Sequence, residues 1–152
     1  MIEYIGIFID ENDTNKILQN EGTALEKRPN NFHCTMQYMP KDLNFFYDVI
    51  GQEVVIALTG YGCDGNNSGF RVEFPDNIKK YFLNTDKDGN LKIPHITTSL
   101  SKKGKAVDTM NLNFHDLENA VLVRGRFGLF MRESGKGYIS FERTNNSIKE
   151  MS

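Results

Sequence analysis

The sequence predicts an α+β fold made of two related, β-rich lobes. Three observations lead there. Short apolar, β-branched runs alternate with brief amphipathic stretches along the whole chain. The order of these elements in the first half recurs in the second. The 152 residues, 39% hydrophobic and 25% charged, match one globular domain, for which roughly 100–200 residues is usual. The chain is therefore read as a single domain over residues 1–152, with lobes near 1–75 and 76–146 and a polar tail at 144–152.

Tyr4-Ile-Gly-Ile-Phe-Ile9 is a short apolar strand. The segment from Asp10 to Thr14 is rich in capping residues. Ile17, Leu18 and Leu25 then predict a helix of about three turns. Pro29-Asn-Asn31 is a turn, and residues 32–39 form a strand stopped by Pro40. Leu43, Phe46, Tyr47 and Ile50 follow a helical period that ends at Gly51. Residues 54–61 are a strand, 62–69 a Gly- and Asn-rich loop and 70–74 another strand. Pro75 opens a helix carrying Ile78, Tyr81 and Phe82 on one face. In the second half, residues 93–100 are a strand, 101–105 a lysine-rich loop and 106–119 either helix or loop. Residues 120–131 form a long strand, 133–137 a hairpin turn and 138–143 the last strand.

The halves share local motifs as well as order. His33-Cys-Thr35, Leu58-Thr-Gly60-Tyr-Gly62 and Gly69-Phe-Arg-Val-Glu-Phe74 stand in the first. His95-Ile-Thr97, Val123-Arg-Gly125-Arg-Phe-Gly128 and Gly137-Tyr-Ile-Ser-Phe-Glu142 stand in the second. The histidine-to-glycine spacing is 27 residues from His33 to Gly60 and 30 from His95 to Gly125. This is a weak internal duplication. A twofold arrangement of the halves brings the two histidine strands together at the centre.

Composition removes several classes of function. A net charge of −2 and a pI near 5.9 exclude a generally basic nucleic-acid coat and disfavour long RNA. No apolar run approaches the roughly 18 residues of a membrane span, and the first residues lack the pattern of a secretory leader. Cys34 and Cys63 form no Cys-x-x-Cys pair, which argues against a disulfide framework or a cysteine-rich zinc site. The expectation is a soluble cytoplasmic protein with no metal and no cofactor, monomeric because a cleft between lobes needs no partner. Sixteen asparagines hint at an AT-rich coding sequence, as in some phages.

The chemistry sits in the two His-x-Thr motifs. Only three histidines occur, and two of them, His33 and His95, carry threonine two positions later, at Thr35 and Thr97. On a strand, residues i and i+2 share a face. Each motif therefore sets an imidazole beside a hydroxyl. Two such strands make a pocket with two of each, suited to phosphoryl transfer. One neutral imidazole takes a proton from the attacking hydroxyl, and a protonated one gives a proton to the leaving oxygen. The threonines donate to nonbridging oxygens. Symmetry leaves open which histidine is the base. Cys34, between His33 and Thr35, points to the opposite face and into packing. His115, without a threonine partner, reads as a surface residue.

These paired motifs resemble the two-histidine (2H) phosphoesterase superfamily, over nearly the whole chain. The resemblance implies a bilobal α+β fold with two antiparallel sheets flanked by helices around a central cleft. It also implies metal-free cleavage of phosphodiesters that involves a ribose 2′ position. Within that superfamily the chain is similar to the phage anti-CBASS nucleases, which destroy cyclic di- and trinucleotide signals of host antiviral defence. Small size, the asparagine bias, Tyr4-Ile-Gly-Ile-Phe and Tyr61 in Thr59-Gly-Tyr-Gly support that narrower likeness. Met36 and Thr98 after the motif threonines depart from the usual pattern only slightly. The implied partner is a cyclic oligonucleotide, and the implied location the host bacterial cytoplasm. The other readings are an RNA-end 2′,3′-cyclic phosphodiesterase and a non-catalytic sponge that only binds the nucleotide.

A nucleotide substrate needs base platforms and a cation. Tyr4 and Tyr61, at a strand start and a strand end, are candidates for stacking on bases. Packing in the core explains each equally well. Phe127, the approximate repeat partner of Tyr61, is a third candidate. Lys102, Lys103 and Lys105 form either a basic lid over the phosphates or a solvated charge run. Asn84-Thr-Asp86-Lys-Asp88-Gly89 has the start of a calcium loop, but His95 stands where the loop needs Glu, so it reads as a turn. Gly125-Arg-Phe-Gly128 is too short for a phosphate loop and reads as part of a strand.

Overall fold

The computed structural model describes residues 1–143. The predicted tail at 144–152, and the end of the second predicted lobe, lie outside the described residues. The chain is mostly antiparallel sheet. Its strands are β1 (Ile2–Ile9), β2 (His33–Tyr38), β3 (Glu53–Cys63), β4 (Asn67–Glu73), β5 (His95–Leu100), β6 (His115–Glu133) and β7 (Lys136–Ser140). Hydrogen-bonded neighbours run β1-β2-β5-β4-β3-β6, and β6 returns to β1, so six strands close into a barrel. β7 extends the sheet as a hairpin on the end of β6. Among the described residues no helix is long and apolar enough to cross a membrane.

The ring order is a palindrome. Exchanging β2 with β5, β1 with β4 and β6 with β3 reproduces it. The expected twofold relation is therefore visible in the strand order, with the two histidine strands adjacent at the centre. The boundary between its halves differs from the expected one. Among the described residues, those up to 75 and those from 76 to 143 do not form separate sheets. One half of the ring is β1, β2 and β6, and the other is β3, β4 and β5, so the halves interleave along the chain. The sequence equates 69–74 with 137–142, yet it is β1 that takes the place equivalent to β4. Short local motifs cannot reveal such a permutation, because strand partners are chosen by long-range pairing.

Alternation along the strands places the core. Ile5, Ile7, Cys34, Met36, Phe70 and Ile96 are fully buried on one face of the β1–β2–β5–β4 section. Burying side chains of this kind stabilises the fold by roughly 1.5–3 kcal/mol each. Two glycines in β6 let other elements approach. A Cβ on Gly125 would stand 2.5 Å from Ile7 Cγ2, and one on Gly128 2.8 Å from Phe141 Cδ1. The predicted strand reading of this segment holds.

The helices are shorter than their periodicity suggests. α1 (Thr14–Asn20) has two turns, and Leu25 lies beyond it. The chain leaves the helix at Glu21 in extended geometry. There the Glu21 carboxylate accepts from both terminal nitrogens of Arg28 and from the hydroxyls of Ser68 and Ser99. The predicted helix at 43–50 is a 3-10 turn, Leu43–Phe46, capped by Asp42 accepting from the Asn44 amide. Leu43, Phe46 and Ile50 are buried as the period requires, while Tyr47 is exposed. The predicted helix after Pro75 is a 3-10 turn, Lys79–Tyr81, and Ile78, Tyr81 and Phe82 still face the core. These segments bury their apolar residues without enough length to complete α-helical turns. The ambiguous region 106–119 divides into a 3-10 helix, Ala106–Asn111, and the start of β6.

Candidate active site

β2 and β5 meet at a single register pair, Cys34 opposite Ile96. Both of these middle residues are fully buried on the core face. Burial pushes the Cys34 thiol up to about 12, so it is a packing residue. The flanking motif residues face the other way. His33, Thr35, His95 and Thr97 line one cavity of about 430 Å3, together with Glu3, Tyr4, Tyr38, Asn84, Lys92 and Val107.

The two motifs are built by the same device. Opposite each motif threonine stands a glycine: Gly6 pairs with Thr35, and Gly69 with Thr97. Beside each glycine the register slips by a bulge, between Ile5 and Gly6 and between Ser68 and Gly69. The residues left over in the bulges are Met36 and Thr98, each directly after its motif threonine. A bulge reverses the face of everything beyond it. This explains Tyr38. It lies five residues from His33, a spacing that alternation assigns to the core side. The bulge at Met36 returns it to the cavity face opposite Tyr4. Tyr38 is 58% exposed on the cavity rim.

Each imidazole is anchored through Nδ1 to the residue two before it. His33 Nδ1 lies 3.0 Å from Asn31 Oδ1, and His95 Nδ1 lies 2.7 Å from the Ile93 carbonyl. A carbonyl oxygen only accepts, so Nδ1 carries the proton. In the neutral rings the lone pair then resides on Nε2, as a general base requires. Burial lowers the pKa of His33 to about 4; the Asn31 contact opposes this and the charge of His95 adds to it. Burial also lowers His95, with Ile93 opposing and the Lys92 charge assisting. The free protein therefore holds both rings neutral at pH 7.

Further groups hold the motif side chains. Tyr4 stacks on His33, with centroids 4.9 Å apart, and on Phe130 at 4.9 Å. Burial first, and then the Glu3 charge, push its hydroxyl pKa up. Tyr4 thus lines the cavity but uses its ring to support the histidine. On the other motif, the buried Asn67 carboxamide donates to Thr109 Oγ1 at 2.9 Å and to the Lys105 carbonyl at 2.7 Å. Thr109 Oγ1 is 2.8 Å from Thr97 Oγ1. Thr109 Oγ1 keeps a second lone pair beside the one that accepts from Asn67, so either hydroxyl of the pair can be the donor. Thr97 Oγ1 also stands 3.4 Å from the Ala106 carbonyl and borders the cavity. Asn67 and Tyr4 occupy equivalent places, opposite Leu100 and Tyr38.

Several expected ligand-binding residues are elsewhere. Tyr61 does not line the cavity. Its ring packs on Phe70, and its hydroxyl bonds Ser68 Oγ at 2.6 Å and both the amide and carbonyl of Thr23. Phe127 is 1% exposed in the core. Lys102, Lys103 and Lys105 also lie outside the cavity lining. Their loop is pinned rather than loose: Ser101 bonds Asn66 through its amide and its hydroxyl, and the Gly104 amide donates to the Ser101 carbonyl. The cation of the cavity is instead Lys92, and Tyr38 and Asn84 join it. Lys92 and Asn84 belong to an irregular segment, so no strand period could flag them. The lysine three residues before His95 was the available signal. His115 is exposed at the start of β6, as read.

Among the described residues, no group of three or more His, Cys, Asp or Glu side chains is placed to hold a metal ion. The calcium-like stretch is a turn in which Asp86 Oδ1 accepts from the amides of Asp88 and Asn90. The chain matches no protein-family model, and it matches no curated protein.

Proposed function

We propose that this chain is a metal-independent phosphodiesterase that cleaves the 3′–5′ linkages of cyclic di- or trinucleotide second messengers, and so blunts a CBASS-type host defence. The observation that carries the reading is the shared cavity, with two Nδ1-anchored imidazoles and two strand-borne threonines on adjacent antiparallel strands. We read the two interleaved halves of the barrel as the lobes of a bilobal 2H-phosphoesterase fold.

The chemistry needs only positioning and proton transfer. The Nε2 of one histidine takes the proton of the ribose 2′-hydroxyl. The 2′-oxygen attacks the adjacent phosphorus, and the bond to the 5′-oxygen breaks in line. The other histidine, protonated, gives its proton to that 5′-oxygen. The product is linear and ends in a 2′,3′-cyclic phosphate. The more strongly depressed His33 suits the base, and His95 suits the acid. A bound phosphate anion favours a protonated neighbour, which restores the acid that burial removes from the free protein. Thr35 and Thr97 donate to the nonbridging oxygens, where charge accumulates. Tyr38, on the rim, is the stacking platform.

Purified protein incubated with 3′,3′-cyclic GMP–AMP in excess EDTA tests the reading by mass analysis. The expected product is linear, and it is absent with His33→Ala and with His95→Ala. Intact substrate would overturn the reading. Cleavage of RNA ends carrying a 2′,3′-cyclic phosphate would then replace it, and tight binding without turnover would make the chain a sponge.

A further inference from the structure

Two polar groups in the cavity have no role in the proton transfers. Asn84 is 4% exposed and lines the cavity. Among the described residues its carboxamide makes no hydrogen bond; only its backbone carbonyl is used, accepting from the Lys92 amide at 2.8 Å. No fully buried side-chain polar atom among the described residues lacks a partner, so the unbonded Asn84 carboxamide opens onto the cavity and is left to whatever occupies it. The Lys92 ammonium also lines the cavity, and among the described residues it forms no ion pair. Its charge acts on His95, so it lies on that side of the site. Glu3, the acidic group of the lining, is already held by Arg132 at 3.3 Å.

The backbone holds the two residues beside each other. Besides the Lys92–Asn84 backbone bond, Thr85 bridges to Leu91, and Asp86 closes the turn between them. A carboxamide N–H and an ammonium, both lining one cavity and without a side-chain partner among the described residues, together suit an oxygen-rich anion.

We propose that Asn84 and Lys92 form an anion subsite that grips the nonbridging oxygens of a substrate phosphate on the His95 side of the cavity. That the anion is a phosphate rests on the phosphodiester reading above; that the subsite takes an anion does not. Asn84 and Lys92 act as binding residues and take no part in proton transfer.

The test titrates inorganic phosphate into the 15N-labelled protein at constant ionic strength and follows the Asn84 side-chain amide signal. The expected result is a saturable shift in the wild type. It is lost in Lys92→Met and kept in Lys92→Arg. With 3′,3′-cyclic GMP–AMP, Lys92→Met and Asn84→Leu should each raise KM about tenfold, some 1.4 kcal/mol, with kcat changed less than threefold. An Asn84 signal that ignores phosphate, or that saturates equally in Lys92→Met, overturns the proposal. So does cleavage with an unchanged KM in both variants, which would leave the phosphodiesterase reading standing. Phosphate binding at Asn84 in a protein that leaves the cyclic dinucleotide intact would do the reverse.

Discussion

The desolvation of His33 has a measurable consequence for stability. In the folded protein its pKa falls from an ordinary 6.5 to about 4, chiefly by burial. A folded state that resists protonation loses ground to the unfolded chain as pH falls. The stability is fully present above 6.5 and is lost progressively down through 4. The shift corresponds to about 3.4 kcal/mol in the limit, of which about 3 kcal/mol is already lost at pH 4. The assay is urea unfolding of the wild type and of His33→Gln, which cannot titrate in this range, at pH 7, 5.5 and 4. The carboxylates affect both proteins alike, and the His95 charge is the smallest of the three causes acting on His33, so the difference chiefly reports His33. At pH 7 the wild type should be the more stable by the cost of disturbing the Asn31 and Tyr4 contacts. By pH 4 its advantage should shrink by about 3 kcal/mol or reverse. A difference that stays constant within about 0.5 kcal/mol from pH 7 to pH 4 would refute the burial argument. It would also remove the reason for assigning His33 the base role.

The same shifts place the catalytic optimum. Both histidines are depressed, so kcat/KM should trace a bell whose base-side limb falls below 6.5 and whose acid-side limb lies near 4, read from initial rates across pH. Tyr61→Phe removes the bonds to Ser68 and Thr23. It should cost about 1 kcal/mol in urea unfolding while leaving turnover within twofold, whereas a base-stacking role would have the ring retained and stability unchanged. Gly69→Ala sets a Cβ 2.6 Å from both the Ile96 carbonyl oxygen and Thr109 Cγ2. Thermal and urea unfolding should register a loss of about 1–3 kcal/mol. Turnover should fall as well, because Thr109 and Thr97 are displaced; Gly69→Ala with wild-type stability and rate would contradict the described packing.

Much of the site was written in the local sequence. His33-Cys-Thr35 and His95-Ile-Thr97 are strand dipeptide repeats, and the two-residue period alone puts each imidazole and hydroxyl on one face and Cys34 and Ile96 on the other. Strand existence and the apolar faces at 43–50 and 75–82 followed from patterning of the same kind. What the sequence could not contain was the outcome of long-range pairing. The closure of six strands into a barrel depends on β6 meeting β1, over a hundred residues away, and this closure interleaves the halves. The two bulges are set by how β1 pairs with β2 and β4 with β5, and the one at Met36 brings Tyr38 to the cavity. Tyr61, Phe127 and the lysines at 102, 103 and 105 have the right chemistry for a nucleotide, but tertiary packing turns them elsewhere. Asn84 and Lys92 line the cavity from the two ends of a turn closed by Asp86. Side-chain periodicity is a local property of the backbone and survives in the sequence; which faces come to share a cavity is decided by contacts between distant segments, and appears only when the chain has folded.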